Sequence, residues 1–297
     1  MTNPDPPHNP TAPLPASTSP PKHRDAPFII ALALICSTYL LLILAMLAAN
    51  GWFLIRQTPA ENWLTHNPLT RALANPNIQY ATWLSLLSCT LAALLSVIVA
   101  VPAGYLLARC RFPGKRLLDA LVDVPIVLPP LVIGLSLLIL FQFTPDWIRH
   151  RVQYEIPAVV LAQFTVAAAF AIRTMTTCFE QIDPRPERVA LTLGASRAQG
   201  FFLLSLPQAS RGILTAYTLA WARSLGEFGP LLIFAGATRM KTEVLSTTIF
   251  LELSVGDLDA AVAVAVIMIA AAAIVLLITR IWGTAHPAAA RHPGADA

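Results

Sequence analysis

The sequence predicts an all-α integral membrane protein with six transmembrane helices. Apolar residues make up 56% of the 297 residues and charged residues only 12%, more apolar surface than one water-soluble core could bury. Six apolar runs approach the roughly 20 residues that a helix needs to cross the hydrocarbon core. Lys and Arg collect in alternate connecting segments, as is typical of multi-pass proteins.

The six predicted spans lie at 28–54, 81–107, 121–143, 158–174, 212–235 and 258–282. The fourth span is the shortest, and the fifth contains charged side chains. Lys22 and Arg24 precede the first run, as basic residues precede the apolar part of a signal peptide. The apolar run at 28–54 is longer than the apolar part of a signal peptide. We therefore interpret it as a retained anchor helix.

The ends of the chain differ in composition from its middle. Residues 1–26 are rich in Pro, Ser, Thr and Asn and lack a periodic apolar pattern, which predicts a disordered cytoplasmic tail. Residues 27–283 are predicted to form the transmembrane domain, with a cytoplasmic loop at 183–207. Residues 284–297 are predicted to form a second cytoplasmic tail.

The distribution of basic residues predicts the orientation. If the N-terminus is cytoplasmic, 13 of the 20 Lys and Arg residues lie in inside segments and six in outside loops. The remaining one, Arg223, lies within the fifth span. This asymmetry predicts that both termini are cytoplasmic in a multi-pass protein of the cell membrane, which agrees with an even number of spans.

Several classes of function lack their characteristic patterns. The net charge of +4 is spread over separate loops and forms no basic patch with interleaved aromatics, which disfavours nucleic-acid binding. The four cysteines show no paired spacing, so no disulfide framework, metal site or cofactor is predicted. His-Glu-x-x-His and Gly-x-Ser-x-Gly are both absent, which disfavours a membrane-embedded hydrolase.

The loop at 183–207 begins with a helix-start pattern, Asp183-Pro184-Arg185-Pro186-Glu187. A short amphipathic helix is predicted to follow. On a 3.6-residue period Glu187, Ala190 and Gly194 share one face, and the two small residues would let another protein approach closely. Gly194 is predicted to permit a turn into a second helix.

Ser196 is predicted to cap that second helix, which runs through Leu206 and is stopped by Pro207. At these residues the chain resembles the permease subunits of ABC-type importers. Arg188 departs from the pattern of that family, which has Glu there, and Val189 and Leu204 also depart from it. The resemblance assigns docking of an ATPase to Glu187, Arg188, Ala190, Gly194, Leu206 and Pro207.

Prolines cluster near the start of the third predicted span, at Pro125, Pro129 and Pro130, with Gly134 close behind. Each proline removes a backbone donor, so this segment is predicted to be kinked or locally unwound. Broken helices of this kind occur along transport paths and also as simple packing kinks, and the pattern does not distinguish the two.

The fifth span contains Arg223 and Glu227 one helical turn apart. Charged groups at membrane depth are costly, so both are expected to face the bundle interior or a water-filled cavity. They either form an ion pair that makes burial tolerable, or line or gate a transport path. Gly226 and Gly229 would allow close helix contact or bending.

The string Arg223 to Gly229, the proline-rich third span and the string Phe234 to Thr238 together resemble the molybdate branch of oxyanion importers, with sulfate and tungstate permeases close behind. The resemblance covers about residues 80 to 282. It implies the type I importer permease fold and a translocation path or gate that includes Pro129, Pro130, Arg223, Gly226, Glu227 and Gly229.

The resemblance also implies the partners. These are a second permease subunit, most simply another copy of this chain, two cytoplasmic ATPase subunits, and an extracytoplasmic protein that delivers the anion. The sequence has no Gly-x-x-x-x-Gly-Lys-Ser/Thr phosphate loop, so ATP hydrolysis is expected on the separate subunit, and the chain is not predicted to be an enzyme. The alternative is an ion-gradient-driven transporter with Asp123, Arg223 and Glu227 as relay residues.

Overall fold

The computed structural model describes residues 26–56 and 67–284, and every regular element in these two ranges is helical. The all-α prediction is therefore confirmed. The predicted tails lie outside the described residues, apart from one residue at the inner end of each. The helices are α1 (Ala26–Arg56), α2 (Pro68–Ala74), α3 (Pro76–Arg109), α4 (Lys115–Val127), α5 (Pro130–Gln142), α6 (Asp146–Val152), α7 (Ile156–Gln181), α8 (Arg185–Thr192), α9 (Arg197–Gly200), α10 (Leu206–Gln208), α11 (Ser210–Leu225), α12 (Leu245–Val255) and α13 (Leu258–Thr284).

Four of these helices, α1, α3, α7 and α13, are long and apolar enough to cross a membrane. The pair α4 and α5 can form a fifth crossing, bent by 112° at its break. The predicted third span is therefore broken, as its prolines indicated. Pro129 and Pro130 have no N–H to continue the α4 ladder, and Pro130 instead occupies the first turn of α5, where that donor is not needed.

The predicted fifth span differs from the structure. A continuous helix over 212–235 is wrong, because α11 ends at Leu225 after 16 residues. Gly226 caps its C-terminus, and the chain becomes helical again at Gly229 and Pro230, which lead into a π-helical segment, Leu231–Ala235. Glycine after the last turn and Pro230 four residues later are typical signals for the end of a helix.

The chain divides into two units, residues 1–50 and 51–297. In the first unit, α1 presents mostly exposed side chains that are nearly all apolar, as expected of a helix in contact with lipid.

In the second unit, α3, α7 and α11 pack around one core that is rich in small residues, including Ala93, Ala100, Ala171 and Ala220. Small side chains let membrane helices approach closely, so that van der Waals contact holds them together without a hydrophobic driving force.

Two glycines mark the closest approaches in this core. A Cβ on Gly104 of α3 would lie 2.7 Å from the Cβ of Met175 on α7. A Cβ on Gly212 of α11 would lie 2.1 Å from the Sγ of Cys178, also on α7. Helix α7 thus contacts two neighbours closely along its second half, and it extends to Gln181, beyond the predicted end at Thr174.

Candidate functional site

Helix α8 forms at the predicted position in the loop at 183–207. Asp183 starts it, since its Oδ1 accepts the Arg185 N–H at 2.9 Å. The helix ends where Gly194 adopts a positive φ of 92°, a conformation that glycine takes without steric cost. The Ala195 N–H then returns to the Ala190 carbonyl at 3.0 Å, which closes the predicted turn.

The second helix of the loop forms over the predicted residues, but a π-helical turn interrupts it. Ser196 caps α9 as expected, because its Oγ accepts the Gln199 N–H at 3.2 Å and Gln199 Oε1 accepts the Ser196 N–H at 2.7 Å. The chain then passes through a π-helical turn, Phe201–Ser205, into α10. The prediction that Pro207 stops the helix is wrong. Helical backbone continues through Pro207 to Gln208, and the π-helical turn directly before it changes the hydrogen-bond ladder where the proline lacks an N–H.

The Glu187 side chain turns toward its own chain. Its Oε1 accepts a hydrogen bond from the Tyr105 hydroxyl of α3, and its Oε2 accepts one from Ser205 Oγ at 2.8 Å. Gly200 packs against the same side chain, since a Cβ there would lie 3.1 Å from Glu187 Cγ. Glu187 therefore ties α8 to both α3 and the π-helical turn.

The outward surface of the loop is apolar at its tip. Leu193 is 82% exposed and Val189 is 56% exposed, and the two lie one helical turn apart on α8. Gly194 has no atom within 4 Å of the position that a Cβ would occupy. Ala190 is half-buried and Arg188 is exposed. We define the docking tip as Val189, Leu193 and Gly194.

The structure brings together two parts of the predicted translocation path. A Cβ on Gly229 would lie 2.9 Å from the Cβ of Pro130, and a Cβ on Gly134 would lie 2.8 Å from the Cα of Pro230. The break after α11 thus packs backbone to backbone on the start of α5. Gly226 contacts no other element in this way, because a Cβ there would approach only carbonyl oxygens of its own helix.

Arg223 and Glu227 form an ion pair, with Arg223 Nη1 and Glu227 Oε2 separated by 2.5 Å. The Glu227 side chain is 1% exposed and that of Arg223 28%. The guanidinium lies 5.6 Å from the ring centre of Phe170, and the Glu227 carbonyl accepts Ser246 Oγ at 2.7 Å. The charge of Glu227 is therefore compensated within the fold, and Arg223 keeps the more accessible side of the pair.

A second charged cluster was not recognised in the sequence. Arg173 of α7 donates to Asp119 Oδ1 at 2.7 Å and pairs with Asp123, and both carboxylates lie on α4. Asp123, a relay residue in the alternative interpretation, is thus one partner of a structural ion-pair cluster. The i, i+4 spacing of the carboxylates was a local signal, but their cation lies 50 residues further along the chain.

The segment between the π-helical residues 231–235 and α12 contains another group that the sequence did not indicate. Glu243 is fully buried there, and burial raises the pKa of its carboxyl above the usual range, while nearby Thr248 and Arg239 lower it. Arg239 also pairs with Glu252 at 3.0 Å. Within residues 26–56 and 67–284, no group of three His, Cys, Asp or Glu side chains is placed to hold a metal ion.

The multi-pass helical bundle, its broken crossing and its helix–turn–helix loop fit the class of membrane transport permeases. Residues 100–287, more than half of the chain, match the family described as the binding-protein-dependent transport system inner membrane component. The chain belongs to this family. It is therefore a permease subunit of an ABC transporter and not an enzyme.

Several relatives are oxyanion permeases. The chain is 34% identical over 242 residues to the sulfate transport system permease protein CysT of Escherichia coli strain K12, covering 80% of this chain and 85% of the relative. It is 34% identical over 215 residues to the molybdenum transport system permease protein ModB of the same strain, covering 70% and 93%. It is 39% identical over 167 residues to the molybdate/tungstate transport system permease protein WtpB of Pyrococcus abyssi, covering 56% of this chain and 64% of the relative.

Solved structures of ABC transporters share the fold. A chain of a bacterial alginate ABC transporter, crystallised with an alginate pentasaccharide-bound periplasmic protein, superposes with a TM-score of 0.68 at 16% identity, covering 88% of this chain and 95% of that one. A chain of an amino acid ABC transporter superposes with a TM-score of 0.54 at 17% identity, covering 74% and 99%. These similarities show the type I importer permease fold.

Proposed function

We propose that the chain is the permease subunit of an ATP-driven importer for a tetrahedral oxyanion, with molybdate as the first candidate substrate and sulfate and tungstate next. The family and the sulfate, molybdate and tungstate permeases among its relatives support this substrate class. The ion-gradient-driven alternative finds no support in these comparisons. It is also weakened because Asp123, one of its relay residues, is held in an ion pair with Arg173.

The contacts of Glu187 support a coupling mechanism. A cytoplasmic ATPase docks on the tip formed by Val189, Leu193 and Gly194, where exposed apolar side chains offer area to bury. Through Tyr105 and Ser205, Glu187 links that tip to α3 and to the π-helical turn that leads into α11. Movement of the docked ATPases on ATP binding would therefore shift α11 together with the loop.

The packing of the break after α11 on α5 supports the position of the path. Pro129 and Pro130 start α5, and Gly229 contacts Pro130 directly. A movement of α11 therefore acts on the broken crossing at this contact. Arg223, the more accessible member of its ion pair, lies on the last turn of α11 and offers a guanidinium to a passing anion. Gly226 ends the helix there.

The proposed assembly contains two copies of this chain, two ATPase subunits and an extracytoplasmic binding protein in the cell membrane. Both termini lie on the cytoplasmic side, the side on which the loop at 183–207 meets the ATPases. The excess of basic residues in the inside segments supports this orientation.

Uptake by proteoliposomes that contain the permease, its ATPase and its binding protein tests the proposal. We expect uptake of labelled molybdate to require ATP inside the vesicle and binding protein outside it, and to be insensitive to ionophores. Excess sulfate and tungstate, added separately, rank the competing anions. Uptake driven by an ion gradient without ATP would contradict the proposal, and so would uptake of none of the three anions.

A further inference from the structure

A pocket of about 520 Å³ lies between the end of α3, the turn that leads into α4 and the loop helices α8 and α9. Its volume falls within the range of about 300 to 1,000 Å³ that is usual for ligand sites. It is separate from the translocation path described above, and it opens beside the proposed docking tip. Two chain segments that are far apart in sequence, 105–115 and 184–197, therefore meet around one cavity.

Basic side chains dominate the lining of this pocket. It has one acidic side chain, Glu187, against five basic ones: Arg109, Arg111, Lys115, Arg188 and Arg197. None of the five forms an ion pair with another residue in the part of the chain that the structure describes.

Glu187 does not neutralise these cations through an ion pair. Each of its carboxylate oxygens accepts a hydrogen bond from a hydroxyl, Tyr105 on one side and Ser205 on the other. Arg109 donates one Nη2 hydrogen to the Ile182 carbonyl at 2.5 Å, while its Nε is buried without a hydrogen-bond partner among the described residues. A buried donor without a partner is unfavourable, so the protein itself satisfies the Arg109 guanidinium only in part.

We propose that this pocket binds a phosphate-type tetrahedral anion. Arginine donors match such groups, because the planar guanidinium can give two parallel hydrogen bonds to neighbouring oxygens. The anion can come from the headgroup of an anionic lipid, since basic pockets at the cytoplasmic ends of membrane helices bind such headgroups, or from a free inorganic oxyanion. This inference rests on the proposed orientation, which places the pocket on the cytoplasmic side.

Occupation of the pocket has a mechanical consequence. Arg109 belongs to α3, Lys115 begins α4, and Arg188 and Arg197 belong to the loop helices. A bound anion would connect these segments and stiffen the docking loop against the membrane domain. The site would therefore make coupling to the ATPase depend on the anion, in addition to the hydrogen bonds of Glu187.

Binding to the purified full-length permease tests the proposal without ATP, ATPase or uptake. One arm counts phosphatidylglycerol retained by the protein, using native mass spectrometry after reconstitution in vesicles of phosphatidylcholine with or without phosphatidylglycerol. The other arm titrates inorganic phosphate and sulfate by calorimetry in detergent free of lipid. Retained phosphatidylglycerol identifies the headgroup as the source, and calorimetric binding identifies a free anion.

The matched variants remove two charges each. In the double variant Arg111→Gln/Lys115→Gln we expect binding to weaken by roughly tenfold or more. The control Arg116→Gln/Arg185→Gln removes two nearby basic side chains that do not line the pocket, and we expect it to bind as the unchanged chain does.

Absence of binding to the unchanged chain in both arms would overturn the proposal, and so would equal weakening in the two double variants. If neither probe binds and Arg111→Gln/Lys115→Gln instead reduces co-purification of the ATPase, the pocket receives acidic side chains of that partner, and the anion site is refuted. Because no arm measures transport, the proposed import function can stand when this inference fails.

Discussion

At the residue scale, charged side chains in this protein are held by specific partners at the points where helices meet. Glu187 joins the loop to α3, Arg173 joins α7 to α4, and Arg223 compensates the buried Glu227. The Glu227 contact is the costly one to break from one side, because its carboxylate would stay buried without a partner.

Glu187→Ala is expected to loosen the docking loop. The change leaves the hydroxyls of Tyr105 and Ser205 without their acceptor, at a cost of roughly 1 to 3 kcal/mol for each group that stays dry. We expect the permease to remain in the membrane while ATP hydrolysis by the complex loses its dependence on the binding protein. Tyr105→Phe, which removes one of the two bonds, should give a smaller change in the same hydrolysis assay. Normal stimulation in Glu187→Ala would contradict the coupling role.

Arg223→Ala is expected to destabilise the permease by about 3 to 5 kcal/mol, since it leaves the Glu227 carboxylate buried and unpaired. The double variant Arg223→Ala/Glu227→Gln removes both charges and should recover assembly, measured by size-exclusion chromatography and thermal unfolding. If Arg223 contacts the anion, uptake stays lost in the double variant and is partly retained in Arg223→Lys. Recovery of both assembly and uptake in the double variant would show that the pair only makes burial tolerable.

At the element scale, interruptions of helices lie where segments touch. The break between α4 and α5 and the break after α11 pack on each other through Pro130 and Gly229. Glycine at residue 229 is required for this contact, because a Cβ there would overlap Pro130 and the Leu131 nitrogen of α5.

Gly229→Ala is expected to destabilise the permease by roughly 1 to 3 kcal/mol, the usual cost of forcing extra atoms into a packed contact. Its added Cβ would lie 3.0 Å from the Leu131 nitrogen, a backbone atom with little freedom to move. Gly226→Ala is the matched control, since its φ is −81° and its Cβ meets no other element. Thermal unfolding in detergent should separate the two, and equal melting temperatures would refute the contact.

Gly194→Glu is expected to leave the permease inserted but to detach the ATPase, because a charged side chain would enter the apolar docking tip. Gly194→Ala adds the same backbone strain, about 1 to 2 kcal/mol at a positive φ, without the charge. Co-purification of the ATPase should therefore be lost in the glutamate variant and largely retained in the alanine variant. Retention in both would refute docking at this tip.

At the scale of the whole molecule, orientation connects the loop at 183–207 to function. A C-terminal green fluorescent protein fusion is expected to fluoresce, whereas a C-terminal alkaline phosphatase fusion is expected to be inactive, because both termini should face the cytoplasm. If the chain is truncated within the second predicted outside loop, 144–157, and fused there, the phosphatase should be active and the fluorescent protein should not fluoresce. An active phosphatase at the C-terminus would contradict the assigned orientation and move the docking loop to the wrong side.

Most of the architecture was predictable from the sequence. Apolar runs of membrane length identified α1, α3, α7 and α13, because lipid requires about 20 apolar residues per crossing wherever that helix packs. Prolines identified the break in the third span, and Gly194 and Ser196 identified the turn and cap of the loop. These features depend on hydrogen bonds between residues close in sequence, and local patterns contain that information.

The partners of the charged and small residues were not predictable. The helix period placed Glu187 on an outward face with Ala190. In the structure its carboxylate oxygens instead accept hydrogen bonds from Tyr105, 82 residues away, and from Ser205. The end of α11 at Leu225 was likewise missed, because an apolar run continues through the break and hydropathy does not register a change of direction. Which side chains meet depends on how helices pack, and packing joins residues that no local pattern relates.

The sequence was sufficient for the membrane class, the number of apolar runs and the helix–turn–helix shape of the loop at 183–207, since the bilayer and the helix period act on each segment separately. The inward turn of Glu187, the contact between Pro130 and Gly229, and the cluster of cations around the pocket appear only when α3, α4, α7 and α11 are assembled. The physical reason is that ion pairs and close backbone contacts act over a few ångströms in space, whatever the distance along the chain.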